Sequence, residues 1–222
     1  MILEAGENVL VLQISQPDTG ACVGKIRAVY EKLRSMNFPG ILSLRPGLDC
    51  LALELDEDAD RHELANWLET EGQELEPLKP EAKLLRVGVC YDEPFSRNLP
   101  QVAGWCGISR EEVIELHQSR IYDVWMMGFM PGFPYLGPLN RTLQLPRKTL
   151  PDPFIPEGSV AIAEEYCGIY PFDSPGGWHI IGRTSVRLID YRLETPWLLD
   201  YGMQVQFYPI STDEFTEQLR QR

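Results

Sequence analysis

From Ile121 onward, proline and glycine break the chain into short β-prone runs: "IYDVWMMGF", "SVAIA", "WHIIG", "SVRLI" and "MQVQFYP". Proline locks φ and removes a backbone donor, while glycine opens conformations closed to other residues, so each such site ends or bends a strand. Short strands at this spacing predict a barrel or a sandwich. Just ahead of them, "LPQVAGWCGISREEVIELHQS" predicts two short helices. Ser109 and Glu112 have capping-box spacing for the second, whose Val113 and Leu116 face inward. Ser211 and Glu214 repeat that spacing before a C-terminal helix containing Phe215 and Leu219.

The first ninety residues read differently. "NVLVLQI" is an apolar run between Gly6 and Pro17, which predicts a strand. From Thr19 to Met36, Ile26, Val29, Tyr30 and Leu33 recur at helical spacing. "GILSLRPG" and "CLALELD" predict two strands around Pro46-Gly47, and Leu64, Trp67 and Leu68 mark an acidic helix. With "LLRVGVCY" as a further strand, the order β-α-β-β-α-β is that of a split-βαβ, ferredoxin-like unit. The acidic, proline-bearing stretch "ETEGQELEPLKPEAK" predicts a boundary, although Leu84–Tyr91 could pair on either side of it. The expected organisation is α+β: a small ferredoxin-like α/β domain over 1–82, then a β-rich domain over 83–222.

A formal net charge of −13 on 222 residues argues against nucleic acid, whose phosphates demand a lysine and arginine footprint. It equally disfavours anionic membrane surfaces. Neither a signal-peptide pattern nor an apolar run near the ~18 residues of a membrane span is present. Five cysteines without a CxxC pair fit reduced thiols rather than a disulfide framework or a zinc site. A cytoplasmic protein without a metal is the expectation.

Three stretches hold residues suited to chemistry. In "GFMPGFPYLGPL", prolines stiffen a loop that carries Phe129, Gly132, Phe133 and Tyr135. Such a loop lines a ligand or partner pocket, or else is a crossover whose rings fill a core. In "QLPRKTLPDPF", Arg147 suits a carboxylate or phosphate, or else a surface ion pair. In "DSPGGWHIIGRT", Ser174 and the backbone around Gly176 and Gly177 could form an anion nest, with Trp178 as a wall and Arg183 as the cation. A tight hairpin with a core tryptophan accounts for the same residues. Cys167 has a histidine nearby in sequence, His179, although a buried, inert cysteine explains it better. No GxSxG elbow, Walker A loop or HExxH motif occurs, so the chain shows no self-sufficient catalytic machine.

Read together, "HQSRIYDVWMMGFMPGFPYLGPL", "LPRKTLPDPFIPEGSVAIA" and "CGIYPFDSPGGWHIIGRT" resemble the family of 5-oxoprolinase B subunits. That family is also known as allophanate hydrolase subunit 1 and includes the sporulation kinase inhibitor KipI. The resemblance covers roughly His117 to Asp190, with three long motifs in order. It implies an N-terminal α/β domain followed by a cyclophilin-like β-barrel, and a partner resembling the family's C subunit. With an A subunit, it implies ATP-dependent opening of 5-oxoproline to glutamate by a complex in which this chain is inactive alone. It also adds His117, Ser159 and Tyr170 to a substrate or partner pocket containing Phe129, Gly132, Phe133, Tyr135, Arg147, Ser174, Gly176, Gly177, Trp178 and Arg183, with catalytic residues unassigned.

The chain departs from the family pattern in three places. Ala163-Glu164-Glu165-Tyr166-Cys167 replaces a glycine-rich, glutamine-containing step, Pro151-Asp152 stands where Pro-Arg is usual, and Glu157 stands where Ala is common. These changes bring acidic groups towards the expected pocket. The alternative reading is a KipI-like inhibitor that binds a sensor histidine kinase.

Overall fold

A computed structural model describes residues 1–79 and 83–222. The chain divides into two compact units, Met1–Glu81 and Ala82–Arg222. The expected boundary between 82 and 83 touches residues 80–82, which lie outside the described residues.

The first unit contains β1 (Ile2–Glu4), β2 (Val9–Gln13), α1 (Thr19–Met36), β3 (Ile41–Pro46), β4 (Cys50–Leu55), α2 (Arg61–Glu69) and the short α3 (Glu71–Glu74). Asp18 caps α1 through the Ala21 N–H, and Asn37 ends it in a left-handed conformation. The strands form one antiparallel sheet in the order β1-β2-β4-β3. Alternate residues Leu51, Leu53 and Leu55 of β4 are fully buried with Ile26 and Val29 of α1 and Leu64 and Leu68 of α2. Each such side chain contributes about 2 kcal/mol of burial.

The expected β-α-β-β-α-β order needs correction. Leu84–Val89 is not in this sheet, and the place beside β2 is taken by Ile2–Glu4, which the sequence reading left unassigned. Three residues with one partly buried side chain carry too little pattern to be read as a strand.

The second unit begins with β5 (Leu84–Val89), α4 (Leu99–Cys106), α5 (Arg110–Gln118), β6 (Ile121–Met127) and β7 (Pro134–Gly137). It continues with β8 (Asp152–Ile155), β9 (Ser159–Ala163), β10 (Tyr166–Ile169), β11 (Ser174–Gly176), β12 (His179–Arg183), β13 (Gln204–Pro209) and α6 (Thr212–Arg220). Seven strands form one sheet in the order β12-β9-β10-β7-β6-β13-β5, and β8 pairs with β11 separately. The ends of the large sheet meet: the Cys90 N–H donates to Arg183 O at 2.8 Å and the Arg183 N–H to Cys90 O at 2.9 Å. The sheet is therefore nearly closed and barrel-like, which removes exposed edges.

Val87, Val124, Leu136, Val160, Ile162, Cys167, Ile181 and Val205 fill the interior. Both expected capping boxes form, Ser109 with Glu112 on α5 and Ser211 with Glu214 on α6. The expected strand "SVRLI" does not: only Ile189 bridges, to Trp197. Conversely, β7 lies within the stretch read as a proline-stiffened loop, and β8 and β10 lie where no strand was expected.

Candidate functional site

The outer faces of β7, β9 and β10 carry small residues between the aromatic ones. Leu136, Cys167, Ile169, Val160 and Ile162 point into the barrel, so Gly137, Gly168, Ala161 and Ala163 share the opposite face by strand alternation. Rings occupy the space this leaves. A Cβ on Gly137 would lie 2.5 Å from the Trp125 ring, and one on Gly168 would lie 2.7 Å from the Phe133 ring. Phe133 stands edge-on to Tyr135 at 5.4 Å, Tyr170 at 5.1 Å and Trp178 at 5.3 Å, and Trp178 stacks over Tyr166 at 6.3 Å.

The structure thus brings together Phe133, Tyr135, Tyr170 and Trp178, with Phe129 at the edge, φ +66° and 60% exposed. Arg147 joins them, its guanidinium 5.9 Å from the Trp178 ring centroid. These rings fill one another's space, since Phe133, Tyr135, Tyr170 and Trp178 are all buried. They form a packed layer rather than the walls of an open pocket. Gly132, at φ +76°, serves packing as well, with a Cβ position only 2.5 Å from Ile189 Cδ1.

The Pro-Gly-Gly turn has its own explanation. A Cβ on Gly176 would sit 2.3 Å from the Tyr170 hydroxyl, so the phenol needs a glycine there. The Trp178 N–H donates to that hydroxyl, and burial pushes the phenol up to about 12, keeping it neutral. Gly177 O accepts from the Lys148 N–H at 2.8 Å, and Gly176 pairs with Asp152. The residues of the expected anion nest, Ser174, Gly176 and Gly177, thus lie in and just after β11, which pairs with β8. The Ser174 hydroxyl is buried without a partner.

Two further expectations are corrected. Arg183 does not share a site with Trp178: it lies at the other end of β12, its Nε–H donating to Glu157 O at 2.8 Å and its guanidinium over Phe215. Extended backbone rises about 3.3 Å per residue, so a five-residue strand carries the two apart. Ser159 pairs with Arg183 at that end and is buried.

His117 is fully buried among interior side chains. Its Nδ1 is 2.8 Å from the Tyr91 hydroxyl and its Nε2 3.1 Å from Cys167 Sγ. Cys167 therefore meets His117 rather than His179, which lies two strands away with Ile162 between them in register. Burial drives the imidazole pKa down to about 3 and the thiol pKa well up, so both stay neutral. A neutral, enclosed thiol is not a nucleophile.

A real cavity lies on the other side of Arg147. It has a volume of about 410 Å³ and is lined by Trp105, Leu145, Pro146, Arg147, Lys148, Thr149 and His179. Such a volume is within the usual range for small ligands, about 300–1,000 Å³. Asn98 positions its back wall: its Oδ1 accepts from the Ile180 N–H at 2.9 Å and from Lys148 Nζ at 2.7 Å. Lys148 also donates to Asp152 at 2.5 Å, and Arg147 Nε pairs with Glu164 at 3.4 Å. Asp152 and Glu164, two of the residues expected to bring acidic groups to the pocket, thus each balance one cation at the cavity wall, whereas Glu157 pairs with Arg222.

The sequence reading missed Trp105, which sits in an unremarkable helix, and gave His179 no role in the pocket. Among the described residues, no three His, Cys, Asp or Glu side chains gather as a metal site, and no helix is long and apolar enough to cross a membrane.

The second unit is thus a nearly closed, barrel-like sheet with an aromatic outer layer and a small lined cavity beside it. The chain belongs to the family described as "Carboxyltransferase domain, subdomain C and D", whose sequence model matches residues 1–199. It is 37% identical over 205 residues to the 5-oxoprolinase B subunit of Escherichia coli O157:H7, covering 92% of this chain and 93% of that one. Its identity to the Bacillus subtilis (strain 168) protein of the same name is 30% over 226 residues, covering 96% and 94%. Among solved structures, the crystal structure of TTHA0988 matches with a TM-score of 0.79 and 33% identity over 92% of this chain. This chain spans only 40% of that longer one.

Proposed function

We propose that this chain is the B subunit of a 5-oxoprolinase and acts in the cytoplasm with C-type and A-type partner subunits to convert 5-oxoproline to glutamate with ATP. The observation that carries this reading is the end-to-end match to named B subunits, 37% identical over 92% of this chain and 93% of the relative. None of the relatives compared favours a kinase inhibitor.

We further infer that the second unit is a cyclophilin-like barrel and the first a variant ferredoxin-like unit, with the domain boundary in sequence at 82/83. The variation is that an N-terminal strand supplies the edge position of the sheet. A barrel of this kind does not by itself imply prolyl isomerase activity.

The chemistry explains why several chains are needed. A lactam is stabilised by amide resonance, so its opening is coupled to ATP, and the developing charge must be held by fixed donors in a dry site. This chain offers a lined cavity with two paired cations, and its Cys167 thiol is held neutral by burial. Its part is to bind and orient, and no nucleotide step is assigned to its residues.

The test mixes purified A, B and C proteins with ATP and 5-oxoproline. Glutamate forming only when this chain is present is the expected result. No glutamate from the full mixture overturns the reading.

A further inference from the structure

His179 lines the cavity and is only 3% exposed. Its Nε2 lies 2.8 Å from Pro146 O. A carbonyl can only accept, so Nε2 carries the proton and Nδ1 of the neutral ring is a bare acceptor. That Nδ1 is buried with no hydrogen-bond partner. An unpaired buried acceptor costs free energy and calls for an explanation.

The neighbours of this ring have matching features. The Trp105 ring packs edge-on against the imidazole at 5.2 Å and is itself 58% exposed. Leu145 and Pro146 add apolar surface. Arg147 uses only Nε towards Glu164, so among the described residues its two Nη atoms remain for an anion. Lys148, by contrast, is committed to Asn98 and Asp152. The site therefore offers one buried acceptor, an indole face and one available fork of donors.

We propose that this cavity binds a small cyclic amide carboxylate, with its ring N–H donated to His179 Nδ1, its ring against Trp105 and its carboxylate on Arg147. The inference rests on the 5-oxoprolinase reading for the choice of 5-oxoproline as that ligand, and it makes His179 the residue that distinguishes a lactam from a lactone. A lactone has a ring oxygen in place of the N–H and leaves Nδ1 unpaired, the kind of mismatch that hydrogen-bonding sites reject most strongly.

The chain has three histidines, His62, His117 and His179, so ¹⁵N-histidine labelling yields few resonances. The labelled full chain, mixed with unlabelled A and C proteins, is titrated with 5-oxoproline and then with the lactone analogue, 5-oxotetrahydrofuran-2-carboxylate. The expected result is a shift of the His179 Nδ1 resonance with the lactam only, while His117 stays unmoved. No shift at saturating 5-oxoproline, or an equal shift with the lactone, overturns the inference.

In the turnover assay, His179→Phe is expected to raise KM for 5-oxoproline about five- to tenfold, the worth of one neutral hydrogen bond. His179→Gln, whose amide oxygen can accept, is expected to recover part of that loss. Unchanged KM in a folded His179→Phe protein also overturns the inference while leaving the 5-oxoprolinase reading intact. If the wild-type mixture makes no glutamate, the 5-oxoprolinase reading fails and the imidazole shift alone decides this one.

Discussion

Two buried histidines of the same barrel have opposite circumstances. His117 lies in the interior with both nitrogens engaged, one by the Tyr91 hydroxyl and one by the Cys167 thiol. Either neutral tautomer satisfies it, because hydroxyl and thiol can each donate or accept. His179 lies at the cavity wall with one nitrogen tied to a backbone carbonyl and the other unpaired. Burial lowers the pKa of both. The difference teaches that burial alone does not mark a functional histidine; an unsatisfied atom beside a cavity does, because structure alone does not account for it.

The largest test of this contrast is acid. His117 in the folded state titrates near 3, while in the unfolded chain it returns to about 6.5. Its folded pKa is depressed, so the unfolded state takes up the proton first. Stability is intact above pH 6.5 and is lost as pH falls towards 3, at about 1.4 kcal/mol per pKa unit. Urea unfolding across that window is expected to show several kcal/mol of loss in the wild type and a shallower slope in His117→Gln. Equal slopes would break the contrast.

Next in size, His117→Ala is expected to cost about 3–4 kcal/mol through a cavity and the stranded Tyr91 hydroxyl. His179→Phe should stay within about 1 kcal/mol, because losing the Pro146 bond is offset by removing an unpaired acceptor. Similar costs for the two variants in thermal unfolding would show that His179 is as structural as His117.

The glycine turn sharpens the same division. Gly176→Ala should destabilise by about 2 kcal/mol or more, since its Cβ would overlap the Tyr170 hydroxyl. At Gly177 the nearest atom to an added Cβ is 3.6 Å away, so Gly177→Ala should change stability by no more than about 0.5 kcal/mol. The arginines come last. Arg183→Ala is expected to cost about 1–2 kcal/mol and leave KM unchanged, whereas Arg147→Ala should leave stability within about 0.5 kcal/mol and raise KM. A reversed pattern in denaturation and turnover would restore Arg183 to the site.

Much of the fold was legible where a pattern is local. Helix α1 spans the predicted Thr19–Met36 because an apolar stripe and the Asp18 cap act within a few residues. Both capping boxes form for the same reason. The strand at Ile2–Glu4 was not legible, being too short to show alternation. Ser185–Ile189 looked like a strand but found no ladder partner beyond the Ile189 bridge, and pairing is a property of distant chain. Within the site, Phe133, Tyr135 and Trp178 were recognisable as a group from their motifs, yet nothing in those motifs told packed rings from pocket walls. The Cys167–His179 proximity in sequence brought no contact, because the histidine that meets the thiol comes from helix α5, fifty residues away in the chain.

The chain by itself determined its membership of a family, its β-rich second half and its caps, since these follow from residue type and short-range spacing. Tertiary structure alone decided which histidine meets the thiol, which end of β12 carries each functional side chain, and that Asp152 and Glu164 balance the two cavity cations. Those outcomes depend on strand register and barrel closure, which bring residues tens of positions apart within hydrogen-bond distance, and no local pattern encodes that distance.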